Sequence, residues 1–232
     1  MIRTRNFLAS ALFLSLTACG GDDYEAHLVA DSLAAGIGAD GVAALRLTIA
    51  PEGNEARYRV REQLLGRDFP NDAVGVTGDI AGVLSLDASG ALIPEESRII
   101  VGVDALTSDQ SRRDGYVRNR IMMADSFPSV EMIPESVTGL PSPLSVAMES
   151  GSEYTFQVAG QLVLHNESYP TTWQVTARYV DGQVTGSAST AFTFDDVRLT
   201  KPQVRSVISV ADTIKLEYDF TLVAEQPGES NP

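Results

Sequence analysis

From Leu45 to Leu222 the chain keeps returning an apolar side chain to every second position, and few folds satisfy that pattern. Leu45, Leu47 and Ile49 alternate with Arg46 and Thr48. Tyr58 and Val60 alternate with Arg57, Arg59 and Arg61. Later come Tyr154-Phe156-Val158, Leu162-Leu164, Trp173-Val175-Ala177-Tyr179 and Leu216-Tyr218-Phe220-Leu222, each with polar neighbours between. A period of two belongs to strands that turn one face to a core and the other to water. Turn-forming residues separate the runs: Pro51–Asn54 is expected to turn the chain, Asp87–Gly90 joins two β-type runs, and Asp181-Gly182 is a hairpin signal. Gly75, Gly78 and Gly82 interrupt the run from Val74 to Leu86, as bulges or close backbone approaches do where barrels close. About eight to ten short strands at this spacing specify an all-β sandwich or barrel. The outward row of Arg57, Arg59 and Arg61 either binds anions or discourages edge-to-edge pairing.

One segment breaks the pattern. Thr107 with Gln110 has the form of a capping box, Val117, Ile121 and Ala124 share one helical face, and Pro128 ends the run. This is one short helix, placed to cover a barrel mouth. The Pro- and Ser-rich stretch Pro141–Gly151 reads as a polar loop.

The order of several motifs carries a resemblance. The acidic turn at Asp87 is followed by Asp104-Ala105-Leu106, Arg113-Asp114 and Phe127-Pro128-Ser129-Val130. Then come the run Val158–His165, Val184-Thr185-Gly186, the run Phe192–Val197 and the closing run Val210–Val223. Over Ala56–Ala224 this resembles the YceI-like family. The resemblance implies an antiparallel eight-stranded lipocalin-like barrel that holds a long isoprenoid or other apolar chain. The chain departs from the family pattern after His165, where it reads Asn166-Glu-Ser-Tyr-Pro170, and in a long insertion around Pro141–Ser152.

In such a barrel the candidate ligand-lining residues are Tyr58, Val60, Phe156, Val158, Leu162, Trp173, Phe192, Phe194, Tyr218 and Phe220. Otherwise the same side chains fill a solid core. A barrel of about eight strands allows either. Arg112, Arg113 and His165 are candidate head-group contacts, with an ion pair that fixes the helix as the alternative role for the arginines and a structural or mouth-lining role as the alternative for His165. Little is left for catalysis. The chain has two histidines and one cysteine, no G-x-S-x-G setting for a nucleophile, and at Asp195-Asp196 a turn pair without EF-hand spacing. No enzyme activity, cofactor or metal is expected.

The N-terminus reads as an export signal. Arg3 and Arg5 precede the apolar run Phe7–Leu16, too short to span a bilayer, and Leu16-Thr17-Ala18-Cys19 resembles a bacterial lipoprotein cleavage site. Cys19 is then the lipidated first residue, anchored by several acyl chains. The expected organisation is a signal peptide over 1–18, a flexible tether over 19–42, one barrel domain over 43–225 and a disordered tail over 226–232. Removing residues 1–18 takes away two arginines and no acid, leaving 15 basic against 31 acidic residues and a net charge of −16. A surface that acidic repels nucleic acid and anionic lipid head groups, and no basic cluster in the sequence overrides it. The expectation is a lipid-anchored envelope protein, on the outer membrane facing the periplasm, that carries a long apolar ligand such as a polyisoprenoid, a quinone or a fatty acid derivative. The alternative is a solid-core lipoprotein acting through protein contacts. A hollow interior would separate the two.

Overall fold

The computed structural model describes residues 43–149 and 151–225. The expected signal peptide, Cys19, the expected tether and the expected tail lie outside these residues. Among the described residues there are eleven strands: β1 (Leu45–Ile49), β2 (Glu55–Leu64), β3 (Asn71–Thr77), β4 (Ile80–Leu86), β5 (Arg98–Gly102), β6 (Thr107–Ser108), β7 (Ser129–Thr138), β8 (Glu153–Leu164), β9 (Glu167–Val180), β10 (Gln183–Thr193) and β11 (Val207–Glu225). Their pairing is antiparallel throughout. The order β1-β4-β5-β7-β8-β9-β10-β11 returns to β1, so eight strands close into a barrel.

Closure depends on β11. On one edge it pairs with β10 from Thr213 to Val223. On the other edge it meets β2 over Val207–Asp219 and β1 over Leu222–Glu225. β1 and β2 therefore run one after the other along the same edge, and Pro51–Asn54 steps the strand sideways instead of reversing it. This corrects the expected turn. Asn54 bridges the step: its Nδ2 donates to the carbonyls of Ala50 at 2.8 Å and Thr221 at 3.2 Å, and its Oδ1 accepts from the Tyr218 hydroxyl at 2.8 Å and the Thr221 N–H at 3.1 Å. One amide thus satisfies backbone groups that the interrupted ladder would leave open. Gly53 completes the step at φ +80°, a conformation open to glycine.

The local turn chemistry follows the sequence. Asp87 Oδ1 accepts from Ser89 N, Ala91 N and the Ser89 hydroxyl, which together hold its carboxyl below the usual range, the Ser89 hydroxyl contributing most. Asp181 and Gly182 both have positive φ, as a two-residue hairpin turn requires. The outward arginines of β2 are held by acids on both neighbouring strands: Arg57 by Asp219 and Glu217, Arg59 by Glu217 and Asp72, Arg61 by Asp72.

Two expectations are corrected at the ends. The helix over one mouth is α1 (Ser111–Tyr116), continued by a π-helical segment over Val117–Ile121. Its N-cap is Gln110, without a side-chain cap, because Thr107 and Ser108 pair with β3 as β6. The stretch Pro141–Gly151 is not a solvated loop. It contains α2 (Leu144–Ala147), with Leu144 6% and Ala147 9% exposed, and Leu144, Ala147, Leu140 and Met148 pack among Leu45, Leu47, Leu86, Tyr218 and Leu222. The Leu144 N–H donates to Ala88 O at 3.0 Å, which ties this plug to the turn after β4. The barrel thus has a plugged end, where β8 begins, and a mouth end, where β8 finishes near α1.

Replacing Asn54 with Ala removes these four hydrogen bonds and a fifth to the Glu52 carbonyl, and leaves partly buried partners open. Unfolding in urea is expected to show about 2 kcal/mol of lost stability with an unchanged slope. A loss below about 0.5 kcal/mol would mean that water takes over the bridge.

Candidate ligand cavity

Inside the barrel lies one continuous cavity of about 760 Å³, within the range of ligand sites. All ten side chains singled out from the alternation line it: Tyr58, Val60, Phe156, Val158, Leu162, Trp173, Phe192, Phe194, Tyr218 and Phe220. The plug residues Leu140, Leu144, Ala147 and Met148 line its far end. Sequence reasoning missed these, although Leu144 and Met148 stand at helical spacing within the insertion.

The cavity stays open because large inward side chains lie along the wall. Tyr58 on β2 is directly opposite Gly75 on β3, and a Cβ at Gly75 would sit 2.2 Å from Tyr58 Cε1. Phe220 on β11 is likewise opposite Gly186 on β10, where an added Cβ would come within 2.8 Å of its Cζ. Each glycine provides the space into which a neighbouring ring folds. The Trp173 indole also stays at the wall, donating to the Thr171 hydroxyl two residues away on its own strand at 3.2 Å.

The mouth is framed by the last residues of β2, by α1 with its π-helical continuation, by the segment Leu199–Val204 and by the first residues of β11. Glu62 is the one acid among the inward positions of β2, after Tyr58 and Val60, and is 8% exposed. It accepts from Arg113 Nη2 at 2.6 Å, and Asp109 pairs with Nη1 of the same guanidinium. Burial alone would lower the Arg113 pKa, but the two carboxylates outweigh it and hold the guanidinium above its ordinary value. Arg113 is thus committed to fixing α1 across the mouth. Arg112 lines the cavity, is exposed and forms no ion pair among the described residues.

His165 does not line the cavity and takes up the structural alternative at the mouth end. With Asn166 it forms the β8–β9 turn, both residues at positive φ. Its Nε2 bonds Met122 O at 2.9 Å, and its ring lies 4.9 Å from that of Phe127. Asp196 accepts from Thr193 N–H at 2.7 Å and closes a turn. No group of three His, Cys, Asp or Glu side chains is placed to hold a metal among the described residues.

A family model described as the YceI-like domain matches residues 48–222. The chain belongs to the YceI-like family. Solved structures agree in fold. A polyisoprenoid-binding domain from Saccharophagus degradans, implicated in plant cell wall breakdown, superposes with a TM-score of 0.58 at 12% identity, covering 80% of this chain and 99% of that one. BcnA of Burkholderia cenocepacia gives 0.51 at 13% identity, over 74% and 96% of the two chains. The Campylobacter jejuni YceI protein also gives 0.51 at 13% identity, over 66% and 84%. No curated protein matches the chain.

In this YceI-like barrel the Tyr58 phenol is pushed up to about 12, first by burial. An unfolded phenol titrates near 10. Between these values the unfolded chain loses a proton that the folded chain keeps, so stability present below about pH 10 is lost as pH rises toward 12. Tyr58→Phe removes that contribution. Denaturation at pH 9 and 11 should show the variant losing about 1 kcal/mol less than the parent over that interval. Equal losses would place the Tyr58 hydroxyl in water.

Proposed function

We propose that this protein is a membrane-tethered carrier of a long apolar molecule, of the polyisoprenoid, isoprenoid quinone or fatty acid derivative class. The hollow interior is the observation that carries this reading, because a solid-core interaction protein has no use for a tunnel of about 760 Å³ lined by Phe156, Val158, Trp173 and Phe192. The name of the matched Saccharophagus degradans domain supports the same ligand class. Binding is hydrophobic burial at roughly 0.8 kcal/mol per methylene, so each five-carbon unit contributes about 4 kcal/mol before the cost of ordering the chain. Tyr58 and Arg112 stand at the mouth end to meet a polar head group. Acylation at Cys19 would hold the carrier in the bacterial envelope, on the outer membrane facing the periplasm, beside the membrane that supplies its cargo.

The test is native mass spectrometry of residues 20–232, purified without detergent. A copurifying mass that extracts into chloroform supports the carrier and identifies the cargo. A clean apo mass, unchanged after incubation with isoprenoid quinones and fatty acids, overturns it in favour of a protein acting through surface contacts. Gly75→Ala should force the Tyr58 ring into the tunnel and lower affinity for the extracted ligand about tenfold, roughly 1.4 kcal/mol. Unchanged affinity in a folded variant would show that the ring does not border the bound chain.

A further inference from the structure

The mouth end carries two surface features that the ligand cavity does not explain. The first is apolar. Among the described residues, Leu65, Phe69 and Ile208 are the most exposed large hydrophobic side chains, at 70%, 80% and 62%. Leu65 and Phe69 belong to the hairpin between β2 and β3, and Ile208 is the second residue of β11. These elements are joined: the Leu65 N–H donates to Ser206 O at 2.9 Å, and Leu64 pairs with Val207. Leu64 and Val207 line the cavity, whereas Leu65, Phe69 and Ile208 do not. Met123, another exposed hydrophobic, follows the helical segment on the same rim.

The second feature is charge. Along the side of the barrel the basic residues are matched by acids, as for Arg46, Arg57, Arg59, Arg61, Arg98 and Lys215. Arg67, Arg112, Arg118, Arg120 and Arg205 form no ion pair among the described residues; all five sit on the hairpin, the helix and the segment before β11 that surround the mouth, and Arg178 is the other such residue. Asp68 is the only acid in the hairpin Leu65–Pro70, Asp114 the only one in Ser111–Ile121, and Leu199–Ile208 has none. Among the described residues, five of the six cations without an ion pair thus surround one opening, a clustering that the acidic composition of the sequence did not reveal.

We propose that this end of the barrel is a docking surface for an anionic lipid bilayer. Leu65, Phe69 and Ile208 insert between head groups, the surrounding arginines meet lipid phosphates, and the mouth opens onto the acyl region. The inference rests on the carrier reading for its purpose, since an apolar cargo that passes directly between bilayer and tunnel never crosses water. The surface itself stands on exposure and charge. Apolar patches rimmed by like charge fit a bilayer better than a second copy, because two such rims would bring arginines against arginines.

The experiment is cosedimentation of residues 20–232 with vesicles. The ring of strands closes within residues 45–225, so this chain contains the whole barrel and lacks Cys19. Binding is expected to vesicles of phosphatidylcholine with phosphatidylglycerol and to weaken as salt rises. The triple variant Leu65→Ser, Phe69→Ser, Ile208→Ser should bind at least roughly tenfold more weakly. Arg67→Gln with Arg205→Gln should remove most of the preference over pure phosphatidylcholine, at about fivefold per arginine. All variants should copurify the same chloroform-extractable mass as the parent, since none of the substituted side chains lines the tunnel. Equal partitioning of parent and variants, or no binding of the parent to either vesicle, overturns the docking surface. So does a parent that sediments as a dimer while the triple variant is a monomer, which would assign the patch to a second copy. Vesicle binding without any copurifying mass would instead retain the surface and remove the carrier reading.

Discussion

Strand β11 meets three partners, and everything else in the barrel depends on that sharing. One edge of its ladder belongs to β10, and the other is divided between β1 and β2 at the level of Thr221. A sheet escapes the liability of free edges only when its last strand pairs with its first. Here the junction falls at a discontinuity, and a single side chain, Asn54, covers it. With the ring complete, wall hydrogen bonds no longer depend on what fills the centre. The interior is free to be a tunnel.

That freedom is used through small residues. An inward-facing aromatic would ordinarily reach toward the axis and pack against its counterparts from across the barrel. Gly75 and Gly186 instead offer recesses beside Tyr58 and Phe220, so the rings lie against neighbouring strands. The two ends differ in the same spirit. Leu144 and Ala147 close one with apolar contacts, while Glu62 and Arg113 hold α1 across the other with a charge pair. A pair so little exposed is costly to leave half-made, which favours one position for the helix over several.

Much of this was legible in the sequence, because strand alternation states directly which side chains face inward. The ten lining residues follow from it, as do the hairpin at Asp181-Gly182 and the turn at Asp87. What escaped were features in which tertiary pairing overrides a local signal. Pro51–Asn54 has the composition of a reversing turn, but the edge of β11 captures the chain on both sides of it. Thr107 has the form of a cap, yet β3 recruits it into β6. The prolines and serines around Leu144 suggest solvent, and only the neighbouring plugged end shows why Leu140, Leu144 and Met148 are apolar. For His165 a structural role was legible but its partners were not, because no local signal reveals that Phe127 and Met122 O, far away in sequence, occupy its ring.

The first and last described strands also leave the barrel at the same place. Arg46 pairs with Glu225, and Leu45 with Leu86, beside the turn that holds Leu144. Leu45 and Glu225 therefore lie at the base of the vessel, at the pole away from its opening. A leash fixed to the base holds a vessel upside down unless it is long enough to pass the side. β8, with 12 residues, sets that side at no more than about 40 Å. At about 3.4 Å per extended residue a connecting segment needs roughly a dozen residues to let the opening turn toward the surface where the leash begins. Residues 20–42 are about twice that length. Under the anchoring at Cys19 proposed above, the count of these residues, more than their composition, would determine which way the opening can face.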